Sequence, residues 1–183
     1  MAVIEAIATT YLEADAASVL FEGIPATYEH LQLRMDIASD STTTSGIPRD
    51  YCLLYFNTST ATTNSDYSDH VMLGRATSAN AYAAASAHYL TVHFCSGTSL
   101  GVANFGTAVV DILDYAEDGN KNTTTSSITG SIGPGSGTSE VGVSFCSGLW
   151  DNTDDVTKIL LIPDLGSNWR RGSEFTLYGL NSS

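Results

Sequence analysis

The sequence predicts an all-β protein: an antiparallel two-sheet sandwich of jelly-roll type with long Ser/Thr/Gly-rich loops. Three observations lead there. From His30 the chain alternates strictly, with Leu31, Leu33, Met35 and Ile37 on one face and His30, Gln32, Arg34 and Asp36 on the other. That period of two describes a half-buried strand. Only 15% of residues are charged, so Ser, Thr and Asn must supply the polar surface, and these favour strands and turns over helix interiors. Short apolar runs recur between turn-rich tracts such as 41–46, 57–66 and 130–140, without helical alternation between them. An immunoglobulin-like sandwich is the alternative, weakened by the missing Cys-Trp-Cys pattern.

In chain order, residues 1–14 form an N-terminal arm or first strand, and 15–183 a single sandwich domain. The spacing of Ile4, Ile7, Tyr11 and Leu12 also suits a short helix. A short strand from Ser18 to Gly23 feeds Pro25, which cannot donate to a ladder and so marks a corner, with Tyr28 at the lip of the core. The alternating strand from His30 runs to about Ser39. Tyr51–Phe56 is continuously apolar, as in a strand buried on both faces. The Asn57–Asp69 loop is long for a compact domain, and such loops are commonly functional.

His70–Arg75 reads as a brief strand and the Ala-rich Ala79–Ala87 as the best helix candidate. Strands follow at His88–Cys95 and Ala108–Tyr115, the latter ending in a turn at 117–120 from which Lys121–Thr129 pairs back as a hairpin. Glu140–Cys146 puts Val141, Val143 and Phe145 on one face. Val156–Ile162 is stopped by Pro163, and Phe175–Leu180 closes a set of eight to ten strands.

A net charge of −13 with only seven Lys plus Arg argues against nucleic-acid binding by phosphate neutralisation and against an anionic membrane surface. No signal peptide is visible, and no apolar run approaches membrane-spanning length. Cys52, Cys95 and Cys146 are odd in number and far apart, which suits small core residues better than a disulfide framework or a metal site.

Little points to catalysis. Gly97-Thr98-Ser99-Leu100-Gly101 has the spacing of a nucleophile elbow but lacks the strand-turn-helix that the motif needs. The acidic groups Asp66/Asp69/His70, Asp111/Asp114/Glu117/Asp118 and Asp151/Asp154/Asp155 fit no EF-hand spacing, although residues 151–155 offer several oxygen ligands, and they read foremost as solvated turns. His30, His70, His88 and His93 lack metal-site spacing, so neither a metal nor a cofactor is expected. Tyr67, Trp150 and Trp169 read as exposed aromatics open to stacking on a sugar, although loop aromatics more often pack locally or fill a subunit interface. Trp169-Arg170-Arg171 is the only dense basic spot, suited to an acidic patch on a neighbouring subunit or to a solvated turn.

The run Ile24–Asp36 (IPATYEHLQLRMD), with Arg171–Leu180 (RGSEFTLYGL) near the C-terminus, resembles a family of small virion structural proteins of tailed bacteriophages. DYSDHVMLG, a Gly-Leu-Trp-Asp turn and IPDLGSNW lie between them in the order of that family, and the likeness spans about residues 20 to 180. The resemblance implies a non-enzymatic head decoration (cement) or tail protein on the capsid surface, made in the host bacterial cytoplasm. It also implies that the partners are the major capsid protein and the protein itself, as a homotrimer, with no nucleic acid or membrane involved. Pro25, Tyr28, Leu31, Arg34, Gly172, Ser173, Tyr178 and Gly179 would then hold the fold, while Trp169, Arg170, Arg171, Trp150 and Tyr67 would serve an interface. The competing expectation is a tail or fibre-tip domain that binds a host surface glycan through the 57–69 loop and the tryptophans.

Overall fold

The computed structural model describes residues 3–42, 49–75, 78–98, 104–116, 119–130 and 142–181. Twelve strands follow in order: β1 Val3–Tyr11, β2 Val19–Glu22, β3 His30–Ile37, β4 Arg49–Phe56, β5 Tyr67–Arg75, β6 Ser78–Ala87, β7 Leu90–Ser96, β8 Gly106–Leu113, β9 Thr123–Gly130, β10 Gly142–Trp150, β11 Lys158–Pro163 and β12 Glu174–Asn181. They make two antiparallel sheets, one of eight strands (β1-β12-β3-β8-β9-β10-β5-β6) and one of four (β2-β11-β4-β7). The expected two-sheet sandwich is the fold. Its strand count exceeds the eight of a jelly roll.

The alternating stretch at His30 becomes β3, near the middle of the large sheet, and it turns Leu31, Leu33, Met35 and Ile37 into the core while Arg34 and Asp36 face out. Val110 and Ile112 of β8 and Phe175 and Leu177 of β12 flank these residues, and Leu54, Leu161 and Ile159 come from the small sheet opposite. Burial of such side chains contributes about 1.5–3 kcal/mol each, so this central layer is a large part of the drive to fold.

One expectation changes and one open choice is resolved. Residues 79–87 are strand, not helix. Alanine favours a helix, but a helix this short is marginal in water, and the open edge of β5 offers a full ladder of hydrogen bonds instead. The N-terminal segment, left open between arm, strand and helix, is a strand paired with β12 from Val3↔Asn181 to Tyr11↔Glu174 with one bulge. β1 and β6 form the two edges of the large sheet, and most of their residues are exposed on both faces, so the large sheet overhangs the small one on each side.

The 164–169 segment is built around two carboxylates. Asp50, fully buried, accepts backbone N–H bonds from Tyr51 (2.7 Å), Asp164 (3.1 Å) and Leu165 (2.7 Å) on Oδ1 and from Gly166 (2.8 Å) on Oδ2. Asp40 takes the next two, from Ser167 at 2.7 Å and Asn168 at 3.0 Å, and also the Asn168 side-chain amide at 2.8 Å. Burial alone would raise the Asp40 pKa, but these bonds to its charged form outweigh it and hold the carboxyl below its ordinary value. The segment then delivers Trp169 to the core, where its Nε1–H donates to the Leu161 carbonyl at 3.2 Å.

Replacing Asp50 removes the charged acceptor of the Asp164, Leu165 and Gly166 N–H groups, each such bond contributing about 1.5–3 kcal/mol. Asp50→Ala is therefore expected to lose about 3 kcal/mol or more in urea unfolding. Asp50→Asn should retain part of this, because its amide oxygen still accepts. Wild-type stability in both variants would refute the assignment.

Candidate functional site

The outer face of the large sheet breaks the usual rule of apolar inside and polar outside. On β9 the inward residues are Thr123, Thr125, Ser127 and Thr129, all buried, while Ile128 points out and is 59% exposed. On β10 Ser144 and Cys146 turn in, while Val143 and Phe145 turn out, Phe145 at 50% exposure. The buried hydroxyls satisfy one another in part: Thr129 and Ser144 are hydrogen-bonded through their side-chain oxygens at 2.6 Å, and Thr129 Oγ1 also accepts the Ser144 N–H at 3.1 Å.

Register gathers the outward residues into one row. Met72 of β5 lies opposite Phe145, Phe145 opposite Ile128, Ile128 opposite Val109 of β8, and Val109 opposite Arg34. Val143 sits two residues from Phe145 on the same face. Beyond Met72 the row continues into Ala81 of β6. Between Ile128 and Phe145 the surface dips into a depression of about 310 Å³ that Val109, Asp111 and Ser126 also line. Directly opposite side chains of this kind interact strongly, and here they form a contiguous apolar band open to solvent.

The band ends at a polar border on β3 and β12. Arg34 stacks 4.9 Å from the Tyr178 ring centroid, and its Nε–H donates to Gln32 Oε1 at 2.9 Å. Gln32 in turn donates to Asp111 Oδ1 at 2.8 Å. Asp36 and Glu174 are cross-strand partners. Burial first, and then the Glu174 charge, raises the Asp36 carboxyl above its ordinary value.

Of the residues expected to hold the fold, Pro25, Tyr28 and Gly179 lie together in one place and Gly172 and Ser173 in another. The Pro25 carbonyl accepts the Tyr115 hydroxyl at 2.6 Å, and that hydroxyl accepts the Tyr28 N–H at 3.2 Å. The Tyr28 ring lies over Gly179, where a Cβ would come within 2.3–2.4 Å of ring atoms, so only glycine fits beneath it. Tyr115 was not singled out in the sequence; a tyrosine ending an apolar strand carries no local signal of its partner. In the second place Gly172 has φ +93°, a conformation that favours glycine, and donates to the Leu12 carbonyl at 2.8 Å. Ser173 exchanges hydrogen bonds with Ala38: its Oγ accepts the Ala38 N–H at 3.2 Å and donates to the Ala38 carbonyl at 3.3 Å.

The expected interface aromatics are core residues. Tyr67, Trp150 and Trp169 are 3%, 4% and 0% exposed. Trp150 packs on Phe56 at 5.3 Å between centroids and stacks on Tyr67, whose hydroxyl accepts the Phe56 N–H at 2.9 Å. These rings close one end of the sandwich and are not available to a sugar. Arg170 and Arg171 do reach the surface, and their turn is fixed through the backbone: Arg170 N–H donates to Ala38 (2.8 Å) and Arg171 N–H to Asp15 Oδ1 (2.8 Å).

Cys52 and Cys95 lie fully buried in the main core, and burial pushes both thiols well up. Burial likewise pushes Cys146 up to about 11, so these thiols are poor nucleophiles at neutral pH. Ser99, Leu100 and Gly101, like Glu117, Asp118 and Val141, fall outside the described residues. Among the described residues no group of three or more His, Cys, Asp and Glu is placed to hold a metal ion. Comparison with protein-family models, curated proteins and solved structures finds no match.

His93 is the one buried imidazole, with Nε2 3.3 Å from the Gly106 carbonyl. Burial lowers its pKa to about 4, partly offset by that hydrogen bond. In the unfolded chain the ring protonates near pH 6.5, so as pH falls from about 6.5 to 4 only the unfolded state gains the proton and stability drops. The full loss is on the order of 3 kcal/mol, and it levels off below the folded pKa. Urea unfolding across this range should show the decline in wild type and a flatter profile in His93→Gln. A variant profile as steep as wild type would assign the pH dependence elsewhere.

Proposed function

We propose that this chain is a non-enzymatic structural subunit of a tailed-bacteriophage virion, a head decoration protein that works by burying the outer face of its large sheet. The observation that carries this reading is the inversion on β9 and β10, where hydroxyls occupy the interior and Val143, Phe145 and Ile128 the exterior. An isolated monomer gains nothing from that pattern, whereas a subunit covered by a neighbour regains the burial of every outward side chain.

The sequence resemblance supports the virion assignment, and the partners it implies are the major capsid protein and further copies of this chain, in a trimer. Closed symmetry lets one patch serve every copy. Binding to the assembled shell stabilises it by mass action. The acidic surface that accompanies a net charge of −13 suits an outward position rather than one facing packaged DNA. The tail and glycan alternative keeps its surface loop at 57–66 but loses its aromatic carriers, because the tryptophans and Tyr67 are interior.

Phe145→Glu and Ile128→Glu test the interface. Both sites are exposed, so unfolding free energy should stay within about 0.5 kcal/mol of wild type. Occupancy on undecorated heads, read by co-sedimentation and cryo-electron microscopy, should fall about tenfold or more, since each change removes at least 1.4 kcal/mol of apolar burial. Unchanged occupancy would reject this face as the interface. Density for the protein confined to the tail would reject the head assignment.

A further inference from the structure

A second feature lies on the opposite side of the large sheet. β6 overhangs the small sheet, and between its inner face and edge strand β7 a cleft of about 250 Å³ opens to solvent. Its aromatic walls are Tyr82 of β6, Tyr51 of β4, Phe94 of β7 and Tyr89 of the β6–β7 turn. Tyr51 and Phe94 meet edge to face at 4.7 Å, and Tyr89 is braced the same way by Tyr55 at 6.0 Å. Tyr82 is 49% exposed.

Asp69 and Thr91 supply the polar lining. Asp69 is 6% exposed, and its Oδ2 accepts the Thr91 N–H at 2.9 Å. Neither of the ion pairs among the described residues, Lys121–Asp114 and Lys158–Glu22, involves it. Asp69 therefore presents to the cleft a carboxylate whose one hydrogen-bond donor among the described residues is a neutral amide, an arrangement that a cation in the cleft would complete. The surrounding field has the same sign: the Tyr89 phenol is raised first by burial and then by the Asp164 and Asp69 carboxylates.

We propose that this cleft binds a quaternary ammonium group, with the aromatic rings packing around the cation and Asp69 as its counter-charge. The chemistry selects this class over its competitors. Ring faces attract a cation electrostatically, most strongly where water is excluded, and a weakly hydrated quaternary ammonium loses little on leaving water. An anionic ligand would meet Asp69 and a protein of net charge −13. A neutral sugar would leave the Asp69 charge uncompensated.

Choline chloride, titrated into the full chain at constant ionic strength, is the probe, followed by NMR of the tyrosine ring signals. Saturable shifts at Tyr51, Tyr82 and Tyr89 with a millimolar Kd are expected. Its uncharged tert-butyl isostere, 3,3-dimethylbutanol, and methyl glucoside serve as the two controls. Asp69→Asn keeps an acceptor for the Thr91 N–H and removes the charge, and should weaken choline about tenfold; Tyr82→Ala, on an exposed edge strand, should do the same. Absence of saturation by choline, equal binding of the uncharged isostere, binding of the glucoside at these rings, or unchanged affinity in Asp69→Asn would each overturn the proposal.

Discussion

The Asp50 carboxylate is the point on which the two sheets depend. It sits on β4 of the small sheet, yet its acceptors are used by the chain leaving β11 on its way to β12 of the large one. A buried charge is tolerated because directed N–H dipoles take the place of water. Asp40, just after β3, continues the pattern from the large-sheet side. Trp169 then drops into the core between Ala16 and Ser39, and Ser173 ties the start of β12 to Ala38. Loss of the first carboxylate would release the 164–166 backbone that leads from β11 towards β12.

β9 and β10 show a different compromise. Sandwich strands ordinarily send alternate apolar residues into the core, and β3 does so without exception. β9 and β10 send hydroxyls instead; Thr129 and Ser144 pair with each other, while the Ser127 Oγ lies buried without a hydrogen-bond partner among the described residues. The core remains sealed because β7 covers this region with Val92, Phe94 and Cys95. The same choice leaves a five-strand-wide outer surface on which Ala81, Met72, Phe145, Ile128 and Val109 follow one another without a formal charge.

Much of the fold was legible because its signals are local. The alternation at His30, the apolar run at Tyr51–Phe56, the stop at Pro163 and the 108–129 hairpin each announce themselves within a few residues and form as read. Ala79–Ala87 misled because a ladder offered by β5 is invisible in that stretch. The tryptophans misled for a related reason: Trp150 ends β10 on the same inward face as Ser144 and Cys146, and Trp169 is drawn in by bridges to Ala16 and Ser39, distant in sequence. For the outer face the sequence showed that Val143 and Phe145 share a side, and nothing local says which side is in. That decision rests on the register with β5 and β9, which a single strand does not contain.

Tyr28 and Gly179 meet from opposite ends of the chain, with no room for even a methyl group between them. Neither position is therefore free to drift alone. Any side chain at residue 179 requires the ring at residue 28 to leave or swing aside, and a smaller residue at 28 opens a hollow that a side chain at 179 can fill. Homologous chains would be expected to exchange these two residues as a pair, giving a record of descent written in a contact between the two termini of the fold.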